Sequence, residues 1–211
     1  GCYTLGSMAP LGMMDTCICM GASVSALHGM NKADEAGSHK RVAVIGDSTF
    51  IHSGVTGLIN IAYNQSNSVV IVLDNSITGM TGHQQNPTTG LTIKGDPTTA
   101  VSLEALAHAV GINRVVVVDP YDLAATEKAL TEELEAAEPS VVISRRPCVL
   151  LKYVKTKPPV KVNTDKCASC KMCMKIGCPA ISMKEGKAHI DFTLCVGCDV
   201  CKQLCKFGAI E

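Results

Sequence analysis

RVAVIGDST, residues 41–49, and VVIVLDN, residues 69–75, decide the fold. Each is a short apolar run that ends on small or polar residues, Gly46-Asp47-Ser48 in the first and Asp74-Asn75 in the second. A run without alternation between apolar and polar side chains reads as a strand covered on both faces, the kind found in parallel sheets. Between the two runs, Val55, Leu58, Ile59 and Ala62 fall at helical spacing over 53–63. The same pattern resumes downstream, with a helix predicted over 101–110, a strand over 114–118, a helix over 122–137 and a strand over 141–144. Strands alternating with helices predict an α/β fold, a parallel sheet with helices on both faces. Ligands of such sheets sit at the carboxyl ends of the strands, and Asp47 and Asn75 both fall at such an end.

Upstream, Asp15 or Thr16 is expected to cap a helix from residue 17 to about 30. Its small residues Gly21, Ala22, Ser23 and Ala26 would permit close packing. Residues 75–98 carry no sustained period but hold Gly79, Gly82, Pro87, Gly90, Gly95 and Pro97. A loop of that length inside a compact domain is expected to be functional or disordered. From 146 to 162 the chain is basic and proline-bearing and reads as a linker.

The last 45 residues hold eight of the chain's 12 cysteines. They run Cys167-x2-Cys170-x2-Cys173-x4-Cys178-Pro179, then Cys195-x2-Cys198-x2-Cys201-x3-Cys205. Soft thiolates at this spacing suit iron–sulfur clusters, and two runs are the signature of a bacterial-type ferredoxin with two 4Fe-4S clusters. By its crossing rule, Cys167, Cys170, Cys173 and Cys205 hold one cluster, and Cys195, Cys198, Cys201 and Cys178 the other. Paired zinc sites would leave the third cysteine of each run idle, and disulfides would need an oxidising compartment. The segment is expected to form a small α+β domain held together by its metal.

Composition sets the bounds. The chain divides into residues 1–150, the linker 151–161 and the cluster domain 162–211. Formal charge is zero and no basic stripe appears, so no nucleic-acid partner is expected. No apolar run approaches the length of a membrane span, so no membrane association is expected. Reduced cysteines imply the cytoplasm of an anaerobe. The sequence opens on Gly1-Cys2-Tyr3-Thr4-Leu5-Gly6, which reads as mid-domain loop and suggests a fragment of something longer.

At 46–75, Asp47 and Asn75 offer hard oxygen ligands suited to a magnesium ion that also carries a diphosphate. Gly46 lets the backbone approach, and the amides of Ser48 and Thr49 open a helix N-terminus suited to an anion. An ordinary strand-end turn with Asp47 capping a helix would look the same. The segment resembles the thiamine diphosphate motif, a Gly-Asp-Gly followed further on by Asn-Asn, with Ser48 replacing the third glycine and Asp74 the first asparagine. That resemblance implies Asp47, Asn75 and the carbonyl of Ile77 as magnesium ligands, and Gly46, Ser48 and Thr49 as the diphosphate seat. Met20-Gly21 stands where the family supports the aminopyrimidine ring, though Met20 also reads as a core methionine.

Taken with GCYTL (1–5), DTCICMGAS (15–23), GDSTFIHSG (46–54), LDNSITGMTGHQ (73–84), DPYDL (119–123), RRPCVL (145–150) and the two cysteine runs, the chain resembles the alpha subunits of indolepyruvate ferredoxin oxidoreductases, of the 2-oxoacid:ferredoxin oxidoreductase family. The resemblance covers essentially the whole chain. In its tail, four residues rather than three precede Cys178, and Lys206 stands where a proline commonly follows the last cysteine. It implies thiamine diphosphate-dependent oxidative decarboxylation of an aryl 2-oxoacid such as indolepyruvate, with coenzyme A taking the acyl group and electrons leaving through the clusters to an external ferredoxin. It also implies the remainder of the alpha subunit and a smaller beta subunit as partners, because the glutamate for the aminopyrimidine comes from a domain outside these residues. Other readings are a sister enzyme for a different 2-oxoacid, or an electron-carrier fragment on a non-catalytic scaffold.

His52 and His83 are candidates to face the reactive ring, or else ordinary exposed histidines. Cys2, Cys17, Cys19 and Cys148 read as inert thiols. From Val162 onward seven lysines stand against five acidic residues, a surface that would attract an acidic ferredoxin.

Overall fold

The computed structural model describes the backbone of residues 1–211 and every side chain except those of residues 38–40. The chain forms two compact units. Gly1–Cys2 and Thr16–Cys148 make the first, and Tyr3–Asp15 with Val149–Glu211 make the second.

In the first unit, β1 (Val42–Gly46), β2 (Val69–Asp74), β3 (Arg114–Val118) and β4 (Ser140–Arg145) form one parallel sheet in the order β1-β2-β4-β3. Helices α1 (Ala22–Ala33), α2 (Asp47–Thr49), α3 (Val55–Tyr63), α4 (Leu103–Ala109) and α5 (Leu123–Glu135) accompany it. Strand side chains alternate between faces. Ala43, Ile45, Val70, Val72, Val141 and Ile143 pack with Val24 and Leu27 of α1, Leu58 and Ile61 of α3, and Leu103 and Ala107 of α4. The opposite parity, Val69, Val118 and Val142, packs with Ala129 of α5. Each of these fully buried Val, Leu and Ile side chains stabilises by about 1.5–3 kcal/mol, and with both faces covered the strands read as unbroken apolar runs.

Several boundaries differ from the sequence reading. α1 starts at Ala22, not near residue 17, because Gly21 lies in the left-handed region at φ 90 and ends the preceding segment; no side chain caps the helix. The helix after β1 starts at Asp47, six residues earlier than its apolar period, and widens into a π turn at Phe50–Gly54 before α3. That turn buries Phe50 completely. The long loop is irregular but pinned by bridges Thr78↔Gln84 and Leu91↔Pro97.

Two polar contacts set the frame. Arg114 Nε and Nη2 donate to both carboxylate oxygens of the buried Glu133, at 2.8 and 2.9 Å, tying α5 to β3. At the entry to β2, Asn31 Nδ2 donates to Ser68 Oγ and to the Asn67 carbonyl, both at 3.0 Å, and Ser68 Oγ pairs with Ser66 Oγ at 2.8 Å. The Ser68 carbonyl then accepts from the Ser140 amide at 3.0 Å, where β4 begins.

The second unit contains the antiparallel hairpin β5 (Ile181–Lys184) and β6 (Lys187–Ile190), and the short helix α6 (Val200–Leu204). Its core is small, Val160, Ile181, Ala188, Ile190 and Ile210, with the thiols of Cys173 and Cys201 buried among them. Residues expected in the linker join it. Val160 is buried, Lys161 and Glu211 exchange backbone hydrogen bonds at 2.8 and 2.9 Å, and Val162 bridges to Ile210. Among the described residues no helix is long and apolar enough to cross a membrane.

Close packing of α1 on α3 runs through Gly57, where an added Cβ would stand 3.0 Å from Val24 Cγ1 and 3.1 Å from the Ser25 amide nitrogen. Gly57→Leu is expected to lower stability by about 1–3 kcal/mol through overpacking. Denaturant unfolding checks this, and an unchanged midpoint would contradict the tight contact.

Candidate functional site

Parallel pairing puts the carboxyl ends of β1 and β2 side by side, with Gly46 opposite Leu73, so Asp47 and Asn75 emerge from adjacent strand tips at one edge of the sheet. Asp47 opens α2 after Gly46 and is almost wholly buried. Its Oδ1 accepts from the Ser48 amide at 2.8 Å, and its Oδ2 from Asn86 Nδ2 at 3.3 Å. These donors are neutral. Burial, reinforced by the nearby charge of Asp74, pushes the Asp47 carboxyl above the ordinary range despite them.

Asp74 is handled differently. Arg145 Nε donates to its Oδ2 at 2.7 Å, and the same guanidinium grips Glu104 with both Nη atoms, at 2.6 and 2.9 Å. Held mainly by Arg145, the Glu104 carboxyl falls to about 2. The tip of β2 is also stitched to the end of β4, as Asp74 O accepts from the Arg146 amide and Asn75 O from the Cys148 amide, both at 2.9 Å. Asn75 Oδ1 accepts from the Ile77 amide at 3.2 Å, a turn made possible by Ser76 at φ 59.

Met20-Gly21 is brought against the same helix. Ser53 Oγ donates to the Met20 carbonyl and lies near the Thr49 carbonyl, both at 3.3 Å, and a Cβ on Gly21 would fall 2.1 Å from Ser53 Oγ. Glycine is required there by space and by φ. The Met20 side chain itself is exposed, not a core methionine. His52 on the π turn and His83 at φ 63 in the loop are both exposed, and among the described residues no contact joins either to Asp47 or Asn75. Sequence reasoning missed Asn86, a buried loop residue whose Oδ1 accepts from the Thr88 amide and hydroxyl at 2.8 and 2.7 Å while its amide reaches Asp47. It also missed Arg145 as the counter-charge of Asp74; an arginine pair ending an apolar run was the only hint.

A buried carboxylate with neutral donors, a second carboxylate nearby and a carboxamide on the adjacent strand is an oxygen-ligand set with a deficit of positive charge. These residues fit a magnesium ion.

In the second unit the cysteines gather in two crossed quartets. Burial pushes the Cys173 thiol up, and Cys167, Cys170 and Cys205 lie beside it. The Cys201 thiol is pushed to about 11 by burial, with Cys198, Cys178 and Cys195 beside it. The Ala209 amide donates to Cys205 Sγ at 3.3 Å, and the amides of Ala188 and Ser169, followed by Lys187, lower the Cys167 thiol. Among the described residues no three His, Cys, Asp or Glu side chains converge on a point for one ion. A cubane asks for something else, four thiolates spread over four iron corners, and the quartets and their N–H donors fit it.

The class that emerges is a parallel α/β cofactor-binding domain carried in one polypeptide with a 4Fe-4S ferredoxin domain. Residues 1–144 match the family model described as thiamine pyrophosphate enzyme, C-terminal TPP binding domain, and the chain belongs to that family. The 4Fe-4S binding domain model matches 188–211, the second cysteine run. Among curated relatives, indolepyruvate oxidoreductase subunit IorA of Pyrococcus horikoshii is 42% identical over 231 residues, spanning 100% of this chain and 36% of that protein. IorA of Archaeoglobus fulgidus is 41% identical over 216 residues, spanning 100% and 34%. The chain thus covers about a third of the length of these relatives. A solved 2-oxoglutarate:ferredoxin oxidoreductase from Magnetococcus marinus, with 2-oxoglutarate, coenzyme A and succinyl-CoA bound, shares the fold at TM-score 0.56 and 17% identity, over 64% of this chain and 48% of that one.

The buried charge at Asp47 has a measurable sign. Its carboxyl is raised, so ionisation is penalised in the folded state. The penalty is absent below the ordinary carboxylate value and grows as pH rises through the folded one. Asp47→Asn is therefore expected to stabilise the metal-free chain at neutral pH by about 0.5–2 kcal/mol and to remove the stabilisation that magnesium adds. Unfolding with and without magnesium checks both; a less stable metal-free variant would contradict the buried-charge account.

Proposed function

We propose that this chain is the cofactor-binding and electron-carrying part of an oxidoreductase that decarboxylates aryl 2-oxoacids, indolepyruvate among them, passing the acyl group to coenzyme A and two electrons singly to an external ferredoxin. The observation that carries the reading is the buried Asp47 carboxylate, short of a cation, beside Asn75 on the neighbouring strand tip.

When bound, thiamine diphosphate supplies carbanion-stabilising chemistry and the two 4Fe-4S clusters accept the electrons. Asp47, Asn75 and the carbonyl of Ile77 hold the magnesium. Gly46, Ser48 and Thr49, at the start of the helical run into α3, hold the diphosphate. The Ser48 amide, which donates to Asp47 Oδ1 here, would be one of the N–H groups available to the diphosphate. Met20-Gly21, fixed on Ser53, supports the aminopyrimidine ring. Cys167, Cys170, Cys173 and Cys205 hold one cluster and Cys195, Cys198, Cys201 and Cys178 the other. Thiolate ligation belongs in a reducing compartment such as the cytoplasm. The remaining two thirds of the subunit and a smaller beta subunit complete the site around the aminopyrimidine.

Calorimetric titration of the anaerobically reconstituted chain is expected to give thiamine diphosphate binding with magnesium and none without it. Asp47→Ala is expected to abolish that binding, and the isolated chain to have little turnover. Binding unchanged by Asp47→Ala, or robust 2-oxoacid oxidation by the chain alone, would overturn the reading.

A further inference from the structure

The two cysteine quartets sit in unequal electrostatic surroundings. Lys187, at the start of β6, is half-buried, and its Nζ donates to the backbone carbonyl of Cys167 at 2.7 Å. The contact crosses from the hairpin to the first cysteine of the first run and fixes the ammonium against a ligand of that quartet. Among the described residues Lys187 has no carboxylate partner, so its charge is not cancelled locally. Cys205 of the same quartet receives the Ala209 amide at 3.3 Å. Next to the other quartet, Lys157 is exposed and is spent on Asp199, the neighbour of Cys198, at 2.8 Å. The remaining lysines of the unit, among them Lys202 and Lys206, are exposed, where water and salt screen them.

Adding an electron to a thiolate-bound cluster adds negative charge, so a fixed cation and N–H donors on sulfur favour the reduced form and raise its potential. We propose that Lys187 is a positioning charge that raises the potential of the Cys167, Cys170, Cys173 and Cys205 cluster above that of its neighbour, making it the cluster on which a single electron comes to rest. The inference rests on the two-cluster reading of the cysteine runs. No bond forms or breaks in the step; one electron from the reductant enters the cluster.

The test is a dithionite potentiometric titration of the full chain, reconstituted anaerobically and followed by electron paramagnetic resonance. Hyperfine-shifted cysteine proton signals identify the quartet that holds the first electron. In the unaltered chain the first electron is expected on the quartet containing Cys167. Lys187→Gln is expected to lower that cluster's midpoint potential and leave the other nearly unmoved, and Lys187→Arg to retain the original value. Unmoved potentials in Lys187→Gln, a shift confined to the other cluster, or a first electron on the quartet containing Cys201 would overturn the inference alone. Iron far below the eight atoms that two cubanes need would overturn the two-cluster reading, and this inference with it.

Discussion

A carboxylate withdrawn from water without a cation beside it is the constraint on which the first domain turns. Asp47 and Asp74 leave neighbouring strands one position past a shared register, and each faces the same cost of burial. The fold meets that cost at Asp74 with Arg145, which is braced in turn by Glu104. At Asp47 it offers neutral donors, the Ser48 amide, the carboxamide of Asn86 and the Thr88 hydroxyl. One strand tip is internally neutralised and rigid; the other is held in place but electrostatically incomplete, as a metal ligand is before its ion arrives.

The second domain repeats this logic with sulfur. Its apolar core is too small to order the loops around it, and two of its most buried side chains are thiols, each pressed among three others. Burial and mutual repulsion oppose ionisation of thiols so crowded, and iron bound by the quartets would relieve that opposition and join the loops. A cluster there would be part of the core as well as an electron carrier.

The strands, and the gathering of the cysteines of each run, were legible because their signals are local: a buried strand shows as an unbroken apolar run, and cysteines with two residues between them stay close in space. The placement of Asp47 and Asn75 followed from topology, since parallel strands align their carboxyl ends. What stayed hidden depends on distant contacts. Asn86 reaches Asp47 from within an aperiodic loop, and Arg145 meets Asp74 across 71 positions, so neither leaves a local pattern. The start of α1 was misread because Asp15 and Thr16 look like caps ahead of the apolar stretch 17–20, whereas the backbone turns left-handed at Gly21. The grouping of Tyr3–Asp15 with the second unit has no composition signal at all.

The serine and asparagine knot at the entry of β2 bears on chemistry it never touches. β2 is six residues long, about 20 Å from end to end, and acts as a ruler whose zero mark is set by Ser66, Ser68 and Asn31. Slipping that mark by one residue would turn Asn75 to the opposite face of the sheet and carry it away from Asp47. The spacing of Asp47 and Asn75 is therefore inherited from the far side of the domain, so mutations there would shift these two side chains apart while leaving both in the sequence.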